Sequence, residues 1–258
     1  MNLELEGRNV LITGGSKGIG FACAKAFLAE AAHVAITSRS ERNLADARDR
    51  LNKLITIGAD LTDAAAAQAM VDRAEQQLGP IDILVNCAGS AQRTVPDALT
   101  PAVWRAAMDS KYFTYINVID PVVKRMAARG RGVIVNIVGQ GGKVASPTHL
   151  PGGAANAALM LVTVGLAHVY AAKGVRVLAI NPGLTKTSRV AEGMKAEATL
   201  RGVSEAEALR QSIGRVAMGR LAEPEEIAAM AVFGASPRAS YLTGVVIAMD
   251  GATVPIVI

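Results

Sequence analysis

The segment Thr13-Gly14-Gly15-Ser16-Lys17-Gly18-Ile19-Gly20 carries the clearest chemical message in this chain. Its glycines let the backbone turn sharply and come close to a charged group. A helix opening at Gly18 would present free N–H groups and the positive end of its dipole. Both features suit the pyrophosphate of a dinucleotide. A glycine-rich loop alone also marks ordinary turns, but its place between an apolar strand pattern and a helical pattern makes it far more specific. At the end of the second strand pattern, an acid would bind an adenosine ribose diol. The chain has Ser38 and Arg39 there instead. A carboxylate would repel a 2′-phosphate, whereas a hydroxyl and a guanidinium would bind it, and Lys17 adds a second cation. This charge logic favours NADP(H) over NAD(H). The plainer alternative is that Ser38 and Arg39 are solvated surface residues.

The elements needed to position these groups are legible. Short apolar runs read as strands at Asn9–Thr13, His33–Ser38, Leu54–Ala59, Ile81–Val85, Gly132–Ile137, Val175–Ile180 and Gly244–Met249. Helical patterns lie between them: Gly18 to about Ala31, a helix capped by Ser40, Asp63–Leu78 stopped by Gly79-Pro80, Pro101–Arg129, about Gly153 to Lys173, 187–217 and Pro224–Ala235. Strict βα alternation with mostly apolar strands predicts a Rossmann-like, doubly wound parallel sheet of about seven strands, covered by helices on both faces. With no repeat or linker, residues 1–258 read as one domain.

In this order the motifs resemble the short-chain dehydrogenase/reductase family along almost the whole chain. The glycine loop has that family's TGxxxGxG spacing. Asp60-Leu61 follows the third strand, where the family's Asp contacts adenine. Asn86-Cys87-Ala88-Gly89 matches NNAG, with Cys87 in place of the second Asn. Asn181-Pro182-Gly183 with Thr185 and Thr187 matches the segment at the nicotinamide end. Gly219-Arg220, Pro224-Glu225-Glu226, Thr243-Gly244 and Asp250-Gly251 match its C-terminal pattern. The resemblance implies a cofactor site of Gly14, Ser16, Lys17, Gly18, Ile19, Gly20, Ser38, Arg39, Asp60, Leu61, Asn86, Ala88, Gly89, Asn156, Pro182, Gly183, Thr185 and Thr187. It implies a helical lid over the substrate at 187–217 and a homo-oligomer, commonly a tetramer.

The family's working set is Asn, Ser, Tyr and Lys, and alignment by spacing gives other residues here. Asn156-Ala157-Ala158-Leu159 matches Lys-Ala-Ala-Leu, so Asn156 stands for Lys and Gly152 for Tyr. Gly139 stands for Ser, and Lys111, in Met108-Asp109-Ser110-Lys111, for Asn. Glycine donates no side-chain proton, so the family's carbonyl protonation is lost on this alignment. The missing tyrosine leaves room for water or a bulkier ligand, and the Asn156 amide can still reach a ribose hydroxyl. Two side chains offer replacement proton chemistry. Lys111 returns a cation and would serve as an acid if burial lowered its pKa; otherwise it is an exposed helix lysine. His149 titrates in a useful range but otherwise reads as a surface loop residue. Tyr112 should point about 100° away from Lys111 around the helix. Gln140-Gly141-Gly142 offers backbone N–H groups to an oxyanion, or is a flexible loop.

Composition narrows the remaining classes. Half the residues are hydrophobic (51%) but only 3% aromatic, so the core must be aliphatic. The 27 basic and 22 acidic residues are interspersed, and a net charge of +5 without a basic run argues for a solvated surface rather than nucleic-acid binding. Cys23 and Cys87 lack metal-ligand or CxxC spacing and read as reduced packing residues of a cytoplasmic protein. The acidic N-terminus does not read as a signal peptide. The apolar stretch Leu159–Ala172 is interrupted by Thr163, Gly165, His168 and Tyr170, which favours a buried helix over a membrane span. Three functions remain: an NADP(H)-dependent oxidoreductase on a small carbonyl or alcohol with a non-standard proton donor, an inactive NADP(H)-binding sensor or partner protein, and a lyase or isomerase using an enlarged pocket.

Overall fold

The computed structural model describes residues 1–89 and 91–256. Seven parallel strands, β1 (Asn9–Thr13), β2 (His33–Ser38), β3 (Ile55–Gly58), β4 (Ile83–Asn86), β5 (Gly132–Ile137), β6 (Val175–Pro182) and β7 (Val246–Met249), form one sheet in the order β3-β2-β1-β4-β5-β6-β7. The reversal of strand order between β1 and β4 creates the crevice where doubly wound sheets bind ligands. Val10, Leu11 and Ile12 are completely buried, because both faces of β1 are covered.

One face carries α1 (Gly18–Ala29), α2 (Glu41–Arg50) and α9 (Pro224–Ala235), packed around Phe21, Phe27, Ile36 and Ile227. The other carries α3 (Ala64–Leu78), α5 (Thr114–Arg129) and α6 (Leu150–Tyr170), packed around Met70, Tyr115, Met126 and Leu159. Short α4 (Pro101–Ala107) precedes α5. Caps appear where sequence chemistry places them: Ser40 Oγ accepts from Asn43 N at 3.2 Å, and Asp63 accepts from Ala65 and Ala66.

One expectation is corrected. The helix read over Pro101–Arg129 is two helices joined by a π-helical turn at Met108–Phe113. The helical stretch expected over 187–217 is α7 (Ser188–Arg201) and α8 (Glu205–Gly214), divided where Gly202 turns left-handed (φ 65°) and Ser204 caps a new start. Residues 150–173 are, by length and composition, long and apolar enough to cross a bilayer. In the fold, Ala155, Leu159, Thr163 and Ala167, spaced four apart, bury one face of this helix, and Leu159 and Ala167 belong to the core beside the sheet.

The carboxyl ends of the central strands are held level by side chains. Thr13 pairs with Asn86, and Asn86 with Asn136, in the parallel register. Asn86 Nδ2 donates to Asn136 Oδ1 and Asn136 Nδ2 to Thr163 Oγ1, both at 3.0 Å, while Thr13 Oγ1 takes the N–H groups of Cys87 and Ala88 at 3.1 Å. This ladder is buried, and each bond satisfies a group that would be costly to leave alone.

Candidate active site

The predicted phosphate loop bridges β1 and α1. Gly14 has φ 65°, and a Cβ there would lie 2.8 Å from the Ala88 backbone. Only glycine lets the two loops approach this closely. No side chain caps the start of α1 at Lys17, so its first-turn N–H groups face the loop without a side-chain acceptor. Ser16 is buried, and Lys17 is exposed. Gly18 and Ile19 open the helix. A Cβ on Gly20 would strike the Gly14 carbonyl, and one on Gly18 would meet Thr187 Cγ2 at 3.3 Å. The predicted Thr187 therefore arrives from the end of β6 beside the α1 N-terminus.

Ser38 and Arg39 end β2, next to β1, with Ser38 Oγ accepting from Ser40 N at 3.3 Å. Asp60 follows β3. Hydrogen bonds from Thr62, helped by the charge of Arg39, hold its carboxyl below the usual carboxylate range. Leu61 is buried, and its carbonyl accepts from Asn117 at 3.0 Å. Gly89 follows Ala88 after β4, and Arg189 Nη2 on α7 donates to its carbonyl at 2.8 Å. Pro182 closes β6; Gly183 N donates to Met249 O at 3.0 Å, and Thr185 Oγ1 to Gly183 O at 3.2 Å. The predicted cofactor residues thus gather along the carboxyl edge of the sheet.

At the other end of this cleft, Lys111 lies in the π-helical turn, which leaves it 7% exposed. Its ammonium donates to Tyr115 Oη at 2.9 Å and to the Ile137 carbonyl at 3.2 Å. Burial, then the Arg189 charge, brings its pKa down to about 7. The alternative of an exposed helix lysine is ruled out by this burial.

His149 caps α6 from the loop after β5, and its carbonyl accepts from Gly153 N at 2.7 Å. Its imidazole folds back over the first turn of α6. A Cβ on Gly152 would collide with Cε1 of the ring and lie 2.6 Å from Nε2 and 2.7 Å from Nδ1. The space expected beside Gly152 is therefore taken by His149, and the half-buried His149 is not a surface loop residue. Burial, then the charges of Arg93, Lys111 and Arg189, lower its pKa to about 4. Asn156 is 4% exposed, and its Oδ1 has no partner among the described residues. Gly139 has φ 126°, a conformation that side chains disfavour, and its N–H donates to Asn181 Oδ1 at 3.1 Å. The Gln140–Gly142 turn is packed rather than loose: a Cβ on Gly142 would meet Ala157 N at 2.7 Å.

Comparison with known proteins follows the same lines. The short chain dehydrogenase family model matches residues 8–198. This chain belongs to the short-chain dehydrogenase family. It is 35% identical to galactitol 2-dehydrogenase (L-tagatose-forming) of Cereibacter sphaeroides, over 96% of this chain and 95% of that one. It is 34% identical to acetoacetyl-CoA reductase of Rhizobium meliloti, over 95% and 97%. Among solved structures, a variant of actinorhodin polyketide ketoreductase with NADPH superposes with a TM-score of 0.93 at 27% identity, covering 96% of this chain and 98% of that one. L-sorbose reductase from Gluconobacter frateurii, complexed with NADPH and L-sorbose, gives 0.90 at 27% identity over the whole of both chains.

Four site residues of this short-chain dehydrogenase escaped the sequence reading. Tyr115, one helical turn beyond Lys111, was discoverable from i, i+4 spacing. Thr148, Arg93 and Glu197 were not, because they meet only across the fold. Thr148 donates to Glu197 and accepts from Arg93 Nη1 at 3.2 Å, and Glu197 also binds Arg201 at 2.6 Å. This knot ties α7 to the loop that carries His149.

Proposed function

We propose that this short-chain dehydrogenase interconverts a small carbonyl compound and its alcohol with NADP(H), using a proton donor other than the family tyrosine. The observation that carries this reading is the phosphate cradle of Gly14–Gly20, with Ser38 and Arg39 rather than an acid at the end of β2. NADPH accompanies the actinorhodin ketoreductase and L-sorbose reductase structures, and the two relatives named above act on a polyol and an acyl thioester. When bound, NADPH supplies a hydride to a carbonyl carbon.

The residues at the chemical end fit such a cofactor. The first-turn N–H groups of α1 suit a pyrophosphate, and Arg39 and Lys17 suit a 2′-phosphate. Asn156 Oδ1, buried without a partner among the described residues, suits a ribose hydroxyl donor. Lys111 and His149 are the groups able to hold or supply a proton at the substrate oxygen, at positions where Gly139, Gly152 and Asn156 offer none. The lid formed by α7 and α8 closes over this space.

A second reading, an NADP(H)-binding protein without turnover, is favoured by those same four positions, which on the family alignment all differ from Asn, Ser, Tyr and Lys. Fluorescence titration with NADPH and NADH, followed by NADPH consumption on a panel of keto-sugars and β-keto esters, separates the two. Preferential NADPH binding with turnover supports the oxidoreductase. Tight binding with no turnover across the panel supports the binder. We place the protein in the cytoplasm as a homotetramer. Exposed Trp104, Phe113, Leu161 and Val164 on the α4–α6 side offer apolar surface to another copy, and sedimentation would measure the assembly.

A further inference from the structure

Resting on the carbonyl-reduction reading, we infer that His149 and Lys111 act together on the substrate oxygen. His149 holds and polarises it as a neutral imidazole, and Lys111 delivers the proton.

The placement of His149 is specific. As the N-cap of α6 it sits over the first helical turn, on the bare backbone of Gly152. Any side chain at 152 would occupy the ring's own space, so a glycine there and an inward histidine three residues earlier are complementary. The point a Cβ on Gly141 would take lies 3.0 Å from His149 Cδ2 and 3.7 Å from Asn156 Nδ2. Imidazole and amide are therefore neighbours on one wall of the cleft. Nδ1 of the ring is buried without a partner among the described residues. A half-buried imidazole with an unused nitrogen beside an unpartnered Asn156 Oδ1 is an arrangement suited to a polar ligand.

Charge decides the protonation state of each group. His149 faces the positive end of α6, Arg93 from the loop after β4, Arg189 from α7 and Lys111. Glu197 is the acid near Arg93, at 3.6 Å, and is also engaged by Thr148 and Arg201. Adding a proton to this ring is therefore unfavourable, and the imidazole stays neutral at neutral pH. A neutral imidazole is a weak acid but a good hydrogen-bond donor, as at other helix N-termini where it polarises a carbonyl. Lys111 has the complementary property. No carboxylate pairs with it among the described residues; Arg189 and the Cys87 thiol are its charged or titratable neighbours, with the Tyr115 hydroxyl at 2.9 Å. Two of its three ammonium donors are used, which leaves one.

The step balances. Hydride from NADPH forms a C–H bond at the carbonyl carbon, and the C=O π pair moves to oxygen, held by the imidazole N–H. The oxygen takes a proton from Lys111 Nζ; that N–H bond breaks, and the neutral amine is reprotonated from solvent. The products are the alcohol and NADP⁺.

The test uses the full-length protein with NADPH and a carbonyl substrate it reduces, alongside H149A, K111M and K111R, with NADPH affinity read by fluorescence. Expected are a loss of kcat on the order of 10²–10³-fold in H149A, as for removal of an oxyanion donor, and unchanged NADPH affinity. The wild-type reduction rate should fall as pH rises through about 7; K111M should lose that limb and K111R should move it upward. Carbon-13 NMR of the three histidines should show one, absent in H149A, titrating far below the others without cofactor. An H149A rate within threefold of wild type, a pH limb that survives in K111M, or a His149 resonance titrating near 6.5 would each overturn the inference while leaving carbonyl reduction standing. A wild-type protein that binds NADPH and reduces nothing would overturn the reduction reading, and the inference with it.

Discussion

The packing of His149 on Gly152 can be tested without any substrate. Adding a methyl at 152 places carbon 2.6–2.7 Å from both ring nitrogens, whereas unstrained contact needs roughly 3.5 Å or more. Ring Cε1 is nearer still, so the imidazole must retreat by well over an ångström, or the α6 N-terminus must shift. Such overpacking costs about 1–3 kcal/mol. Gly→Ala inside a helix otherwise gains about 0.8–1 kcal/mol. The single variant G152A should therefore range from neutral to about 2 kcal/mol less stable. In an H149A background the ring is gone, and the same change should stabilise by about 1 kcal/mol. The coupling energy between the two positions is then about 1–3 kcal/mol, measured by urea denaturation of the four proteins at one fixed concentration. Single effects that add to within about 0.5 kcal/mol would refute the contact.

Further outcomes follow from other groups. The Lys111 amine has a folded pKa near 7, below its unfolded value of about 10.4, so the unfolded chain binds more protons between those values. Stability should accordingly rise with pH from about 7 to 10, by at most about 1.4 kcal/mol per unit, and K111M should flatten this segment of the denaturation profile. Replacing Ser38 with Asp puts a carboxylate at the end of β2; NADPH affinity should drop at least about tenfold by titration while NADH affinity rises. G14A combines a left-handed φ with a backbone clash at Ala88, whereas G130A (φ 72°) meets nothing within 4 Å. G14A should therefore lower Tm clearly more than G130A, and it should weaken nucleotide binding as well.

Much of this architecture was legible because its signals are local. Apolar strands bounded by caps such as Ser40 and Asp63 announce themselves within a few residues, and so does the glycine loop. Gly202 and Ser204, signals of the same local kind, mark the break between α7 and α8 within the helical stretch expected over 187–217. Lys111 was ambiguous for a different reason. A π-helical turn inserts one residue into the 3.6-residue period, so a helical wheel continued through 108–113 assigns the wrong faces. His149 was legible as a candidate, but its inward packing was not, because what admits the ring is the absence of a side chain at Gly152. Thr148, Arg93 and Glu197 come from three separate stretches and acquire meaning only when α7 lies over the cleft.

The buried ladder from Thr13 through Asn86 and Asn136 to Thr163 separates two responsibilities within one crevice. It sets the depth at which the strands end, yet positions 111, 139, 152 and 156 are not among its members. A substitution at any of those four removes no bond of the ladder. A designer could graft a new proton donor here and inherit the nucleotide cradle intact.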